Sequence, residues 1–254
     1  MSNNSNAALL EFVIRLGDNN LILGHRLSEW CSNGPFLEED IALSNIALDY
    51  IGQTRILYTY AGTLDGGKTE DFYAYERFEH EFTNALITEL PNGDYAHSIA
   101  RQLYYSVFAD LLLTELMKSK DATLAGYAAK AIKETAYHLR HAIDWTLRFG
   151  DGTEESHQRM QKAIDDLFMY TGDMFATTEN EKSLVAAGIA PDVHSLKAAW
   201  TKKVESVLKE ATLTMPDAAT WQMQGSRTNR HTEHIGYIIA EMQYVTRAYP
   251  GNKW

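Results

Sequence analysis

The chain has 254 residues, 45% of them apolar, with a formal net charge of −11. That is enough apolar sequence for one large core or two modest ones, while the acidic balance argues against nucleic acid and anionic membranes as partners, because both need a basic face. The one cysteine, Cys31, excludes an internal disulfide framework and any cysteine-based zinc or iron–sulfur site.

In chain order, the opening MSNNSNAALLEFVIR carries no basic residue before Arg15, so it lacks the charged start of a secretory signal. No run of about 18 apolar residues occurs anywhere, so no membrane span is expected and the location expected is the cytoplasm. Periodicity predicts eight main helices, at roughly 7–31, 37–62, 69–90, 95–119, 121–149, 154–175, 193–213 and 231–247. In the first, Leu16, Leu23, Leu27 and Trp30 form an apolar stripe, which Asp18, Asn19 and Asn20 interrupt; these three read as a contact surface. In the second, Asn45, Asp49 and Gln53 recur at every fourth residue of an otherwise apolar helix. The third has a stripe of Phe72, Tyr75, Phe82 and Leu86 and carries Glu76, Glu79 and His80. Asp110 stands alone in the apolar fourth. The fifth has Ile132, Ala136, Leu139, Ile143 and Leu147 on its apolar side, with Glu134, His138 and His141 beside them. Thr153 followed by Glu154 and Glu155 is a good start for the sixth, because a hydroxyl cap and early acids satisfy the helix dipole. The last opens with His231-Thr232-Glu233-His234.

All five prolines fall outside these helices, strand signals are absent and the loops are short. Proline breaks helix interiors, and short loops favour antiparallel neighbours. The fold expected is all-α, a ferritin-like four-helix bundle core with additional N- and C-terminal helices, as one domain over 1–254.

A bundle of this kind raises the question of metal. A ferritin-like di-metal site takes one Glu from each of two helices and Glu-x-x-His from each of the other two, because residues three apart share a face and converge on one ion. The second to fifth helices offer Asp49, then Glu76 and Glu79, then Asp110, then Glu134 with His138: the right order of single acids and pairs. The detail fails. Three residues after Glu76 stands Glu79, three after Glu134 stands Tyr137, and the two aspartates are short. These positions therefore read as vestiges in a buried polar network, with no metal or cofactor in this chain. Glu134 would bond His138, Glu76 would bond His80, and Asp49 and Asp110 would find partners among Arg55, Arg77 and Arg101, since a buried unpaired carboxylate is costly. The one literal Glu-x-x-His, Glu154–His157, lies at a polar helix start and reads as solvated. His231 and His234 read as local hydrogen-bonding groups of a helix start, and Arg227 and Arg230 as able to bind an anion or a partner's acids. No phosphate loop, dinucleotide fingerprint or nucleophile elbow is present.

Five strings in order, RLGDNNLILGHRLSEWC, IALSNIALDYIGQTR, ELPNGDYAHSIARQLYY, AKAIKETAYHLRH and HTEHIGYIIAEMQY, resemble the C-subunit family of the bacterial ring-1,2-phenylacetyl-CoA epoxidase, from about Leu10 to the C-terminus. The resemblance implies a ferritin-like, non-catalytic component of a multicomponent monooxygenase of phenylacetate catabolism. It implies a hetero-oligomer with a related catalytic A subunit that holds the di-iron centre, with other epoxidase subunits, and with a reductase carrying flavin and an iron–sulfur cluster. It assigns no catalytic residue here.

Three functions compete at this point. One is a scaffold that stabilises the A subunit. The second is a self-sufficient di-metal oxidase using Asp49, Glu76, Glu79, Asp110, Glu134 and His138. The third is a helical binding protein unrelated to oxygen chemistry.

Overall fold

A computed structural model describes residues 3–252. Among the described residues there are nine α-helices and no β-strand: α1 (Asn3–Ser28), α2 (Leu37–Leu64), the single turn α3 (Leu86–Glu89), α4 (Tyr95–Leu116), α5 (Ala122–Gly150), α6 (Glu154–Phe168), α7 (Glu179–Ala187), α8 (Val193–Glu210) and α9 (His234–Ala248). The chain divides into two compact units, Met1–Pro91 with Gly225–Trp254, and Asn92–Gln224. No helix among the described residues is long and apolar enough to cross a membrane.

In the first unit α1 and α2 run antiparallel. Gly17 lies against the Tyr58 ring, where any Cβ would collide with it; this close approach carries the Tyr58 hydroxyl to Asp18. The helix expected over 69–90 does not form. In its place are a π-helical turn at Phe72–Glu76, a 3₁₀ turn at Glu79–Glu81 and the single turn α3, separated by extended residues at Arg77, Phe78, Phe82 and Ala85. The cause is tertiary. Side chains of α1 capture backbone donors of this segment: Asp18 accepts from the Thr83 N–H at 2.8 Å and Asn19 from the Ala85 N–H at 2.7 Å. Donors bonded to another helix's side chains are withdrawn from a helical ladder.

In the second unit α4 is buried at every position from Ser98 to Ala109. It packs along α5, with Tyr95 edge-on to Trp145, and against α6 and α8, where the Tyr104 hydroxyl donates to the Ile164 carbonyl and the Trp200 indole donates to the Tyr104 carbonyl. Helix starts follow their caps: Asp94, Asp121, Thr153 and Asp192 each accept a backbone N–H from the first turn. The expected 154–175 helix ends at Phe168 and continues as a 3₁₀ turn at Thr171–Phe175. Helix α7 is absent from the sequence expectation, although Thr178 and Glu181 form a complete capping box at its start.

Trp200 is 1% exposed and meets the rings of Tyr104 and Phe175 at 5.5 Å. Trp200→Ala removes this packing and leaves the Tyr104 carbonyl without its indole donor. The expected loss is about 3–5 kcal/mol of stability, read from urea denaturation.

Candidate functional site

The first-unit ligand candidates do not share a helical face. Asp49 is half-buried on α2. Glu76 ends the π turn and Glu79 begins the 3₁₀ turn; both are exposed, and the extended residues Arg77 and Phe78 lie between them. The expected Glu76–His80 bond does not form: the His80 ring stacks on Phe78 at 5.9 Å.

In the second unit Asp110 is half-buried on α4, and burial raises its carboxyl above the ordinary range against the opposing pull of Lys203. On α5, His138 and His141 are buried and Glu134 is half-buried. Tyr137, at the position a ligand histidine would need, is 38% exposed with the Arg140 guanidinium 5.6 Å above its ring. Within each unit, no three His, Cys, Asp or Glu among the described residues converge as a metal-holding group. The arginines offered as partners are engaged elsewhere: Arg55 with Glu70, Arg77 with Asp18, and Arg101 with the Asn92 side chain. Glu154 accepts from Gln158, while the His157 ring bonds the Gly150 carbonyl, so this pair makes no common site.

The most highly built polar site is one that the sequence places wrongly. Asp18, Asn19 and Asn20 are an internal junction, 0%, 5% and 5% exposed, rather than a contact surface. Asp18 Oδ1 accepts from the Tyr58 hydroxyl at 2.6 Å and from Arg77 Nη2. Its Oδ2 accepts from Arg77 Nη1 at 3.2 Å, the Thr83 N–H at 2.8 Å and the Thr83 hydroxyl at 3.0 Å. Arg77 also donates through Nε to the Tyr73 carbonyl and through Nη1 to the Glu81 carbonyl, and its guanidinium lies 4.1 Å from the Phe82 ring centre. Burial, then Asp18, pushes the Tyr58 hydroxyl well above its usual range. Burial pulls the Arg77 guanidinium down, but Asp18, with Tyr58 and Glu81, more than offsets it, and the net direction is upward.

A second buried acid, Glu89, is fully enclosed. Its side chain accepts from His231 Nδ1 at 2.8 Å, the Thr232 N–H and Asn84 at 3.1 Å. Its carbonyl accepts two bonds from Arg26, at 3.0 and 2.9 Å. His231 is therefore not a local helix-start group. Its Nε2 donates to the Phe82 carbonyl at 2.9 Å, and Glu89 lies 142 residues away in sequence. Gln243 of α9 completes the junction by donating to the Ala74 and Arg77 carbonyls. The polar triplet in an apolar helix is a visible signal that something internal needs polar partners. No local spacing announces the His231–Glu89 pairing. What this arrangement does chemically is hold three segments together. His234 opens α9 half-buried, at the edge of this network.

Comparison with known proteins decides the family. The family described as phenylacetic acid catabolic protein matches residues 1–254. The chain belongs to this family. One relative, the C subunit of 1,2-phenylacetyl-CoA epoxidase from Escherichia coli (strain K12), is 45% identical over 246 residues, spanning 97% of this chain and 99% of its own length. The resemblance carried by five strings thus holds across the whole chain, and the all-α architecture agrees with the ferritin-like class expected for the family.

The His231 clamp has a pH signature. Burial alone would lower the imidazole, but the hydrogen bond and charge of Glu89, the Phe82 carbonyl and the charge of Asp18 raise it above its ordinary value. A group raised on folding stabilises fully below its unfolded value, about 6.5, and loses that contribution as pH climbs through the raised one. The stability advantage of wild type over His231→Gln should be largest near about pH 6 and shrink towards about pH 9, measured by urea denaturation across that range. An advantage that grows with pH would contradict the assignment.

Proposed function

We propose that this chain is the non-catalytic C subunit of a 1,2-phenylacetyl-CoA epoxidase, acting in phenylacetate catabolism in the cytoplasm. It pairs with and stabilises the catalytic A subunit. In this reading the A subunit holds the di-iron centre, and a reductase with flavin and an iron–sulfur cluster supplies the electrons. The observation that carries the reading is the 45% identity to the E. coli C subunit over nearly the full length of both chains.

The residues support a structural role. A di-iron bundle needs Glu-x-x-His on two helices. Here the first such segment is broken into two turns with both glutamates exposed, and the second presents Tyr137 at the histidine position. The self-sufficient oxidase reading would need these side chains on inward helical faces.

The test is an assembly assay with the A subunit and reductase, using Asp49→Ala and Glu134→Ala in this chain. Truncating a partly buried acid that serves a polar network costs about 1–3 kcal/mol. The expected outcome is a lower melting temperature, with phenylacetyl-CoA turnover retained in proportion to the complex assembled. Full assembly with turnover abolished would place these acids in the chemistry and overturn the non-catalytic reading. Failure to form a complex at micromolar concentrations would count against the C-subunit role itself.

A further inference from the structure

The chain contains two Asn–Gly steps, Asn33–Gly34 between α1 and α2 and Asn92–Gly93 just ahead of α4. Such a step carries its own chemistry. The amide nitrogen that follows an asparagine can attack that asparagine's side chain and close a five-membered ring. Glycine leaves the nitrogen unshielded, because it has no Cβ. The two steps share the motif, and the structure treats them in opposite ways.

At Asn92 the carboxamide is fixed. Its Oδ1 accepts from Arg101 Nη2 and from Ser98 Oγ at 3.4 Å, and the arginine is buried. At Asn33 the side chain is exposed, and its one bond among the described residues runs from Nδ2 to the Glu29 carbonyl at 3.0 Å. Nothing holds the Asn33 carboxamide oxygen.

The attacking group at this step is also placed. The Gly34 N–H donates to Asp40 Oδ2 at 3.1 Å, within the reach that a general base needs of the proton it removes. That carboxylate has no other partner among the described residues, so no cation weakens its basicity. The contact requires glycine: a Cβ on Gly34 would fall 2.7 Å from Asp40 Cα and Cβ. The missing side chain thus both bares the nitrogen and lets the carboxylate reach it.

We propose that Asn33 is a site of spontaneous deamidation, with the Gly34 nitrogen as nucleophile and Asp40 as its base. The nitrogen bonds to Asn33 Cγ as its proton passes to Asp40. The Cγ–Nδ2 bond then breaks, and that proton leaves with the amine as ammonia. Water opens the resulting succinimide at either carbonyl, giving aspartate or isoaspartate. One water is consumed and one ammonia released, with no change of oxidation state. The product sets a new negative charge beside Glu38, Glu39 and Asp40 of the first turn of α2; as isoaspartate it also lengthens the link between α1 and α2 by one backbone carbon. The proposal goes beyond the epoxidase reading and does not rest on it.

The test is to age the full chain in warm neutral buffer for several days and follow each asparagine by peptide mass spectrometry. Asn33 should convert at least about tenfold faster than Asn92, whose carboxamide is held away from its nucleophile. Asp40→Asn keeps the shape and removes the base. It should slow conversion at Asn33 by about 100-fold, with Asn92 and the helical circular dichroism unchanged. In strong urea, where neither the Arg101 bond nor the Asp40 contact exists, the two steps should convert at similar rates, and wild type and Asp40→Asn should not differ. An Asn33 that stays intact in the folded chain would overturn the proposal. So would conversion of Asn92 at the same rate, or a folded Asp40→Asn chain that converts as fast as wild type.

Discussion

Asp18 sits in the middle of α1 with no exposure and gathers donors from residues 40, 59 and 65 positions away: Tyr58, Arg77 and Thr83. Placing a carboxylate there is unfavourable unless every lone pair is used, since an acid stripped of water must recover its solvation from fixed donors. The rest of the first unit satisfies that demand. Gly17 lets the Tyr58 ring approach, Arg77 turns inward and leaves helical geometry, and Thr83 gives both its amide and its hydroxyl. The segment from Phe72 to Glu89 is shaped by this acid more than by its own helix propensity. Glu89 repeats the arrangement for the C-terminal segment, tying it through His231 and Thr232.

This network explains where the sequence is legible and where it is not. Helices α1, α2, α4, α5, α8 and α9 follow from periodicity, proline placement and caps, and their ends fall within a few residues of expectation. Those are local signals. The stripe Phe72, Tyr75, Phe82 and Leu86 looks equally helical, and Phe82 and Leu86 are indeed fully buried. But burial at helical spacing does not require a helix when a neighbouring element supplies side-chain acceptors for the backbone. The information that breaks the segment lies in Asp18 and Asn19, more than 60 residues upstream. Helix α7 escapes the sequence for the opposite reason: its nine residues show little periodicity, and only the Thr178–Glu181 box announces it.

The candidate site divides in the same way. The missing histidines at Glu79 and Tyr137 are visible by counting along the chain. That Glu76 and Glu79 occupy separate exposed turns is not, because it follows from the broken helix. The buried histidines His138 and His141 and the half-buried Glu134 keep the polar character of α5 without the spacing that a di-iron centre requires. In this member of the phenylacetic acid catabolic protein family the buried polar contacts of the first unit join α1 to the 77–91 segment and to the C-terminal segment.

Asp18 organises the 77–91 segment and, through it, the C-terminal segment. Hydrogen exchange read by mass spectrometry tests this directly, in wild type and Asp18→Ala. The amides of Thr83 and Ala85 donate to side chains of α1, so peptides covering 77–91 should be protected in the wild type. In the variant, protection there and over 231–248 should fall, while peptides from α4 and α5 remain unchanged. Fast exchange over 77–91 in the wild type, or protection that survives loss of the carboxylate, would contradict it.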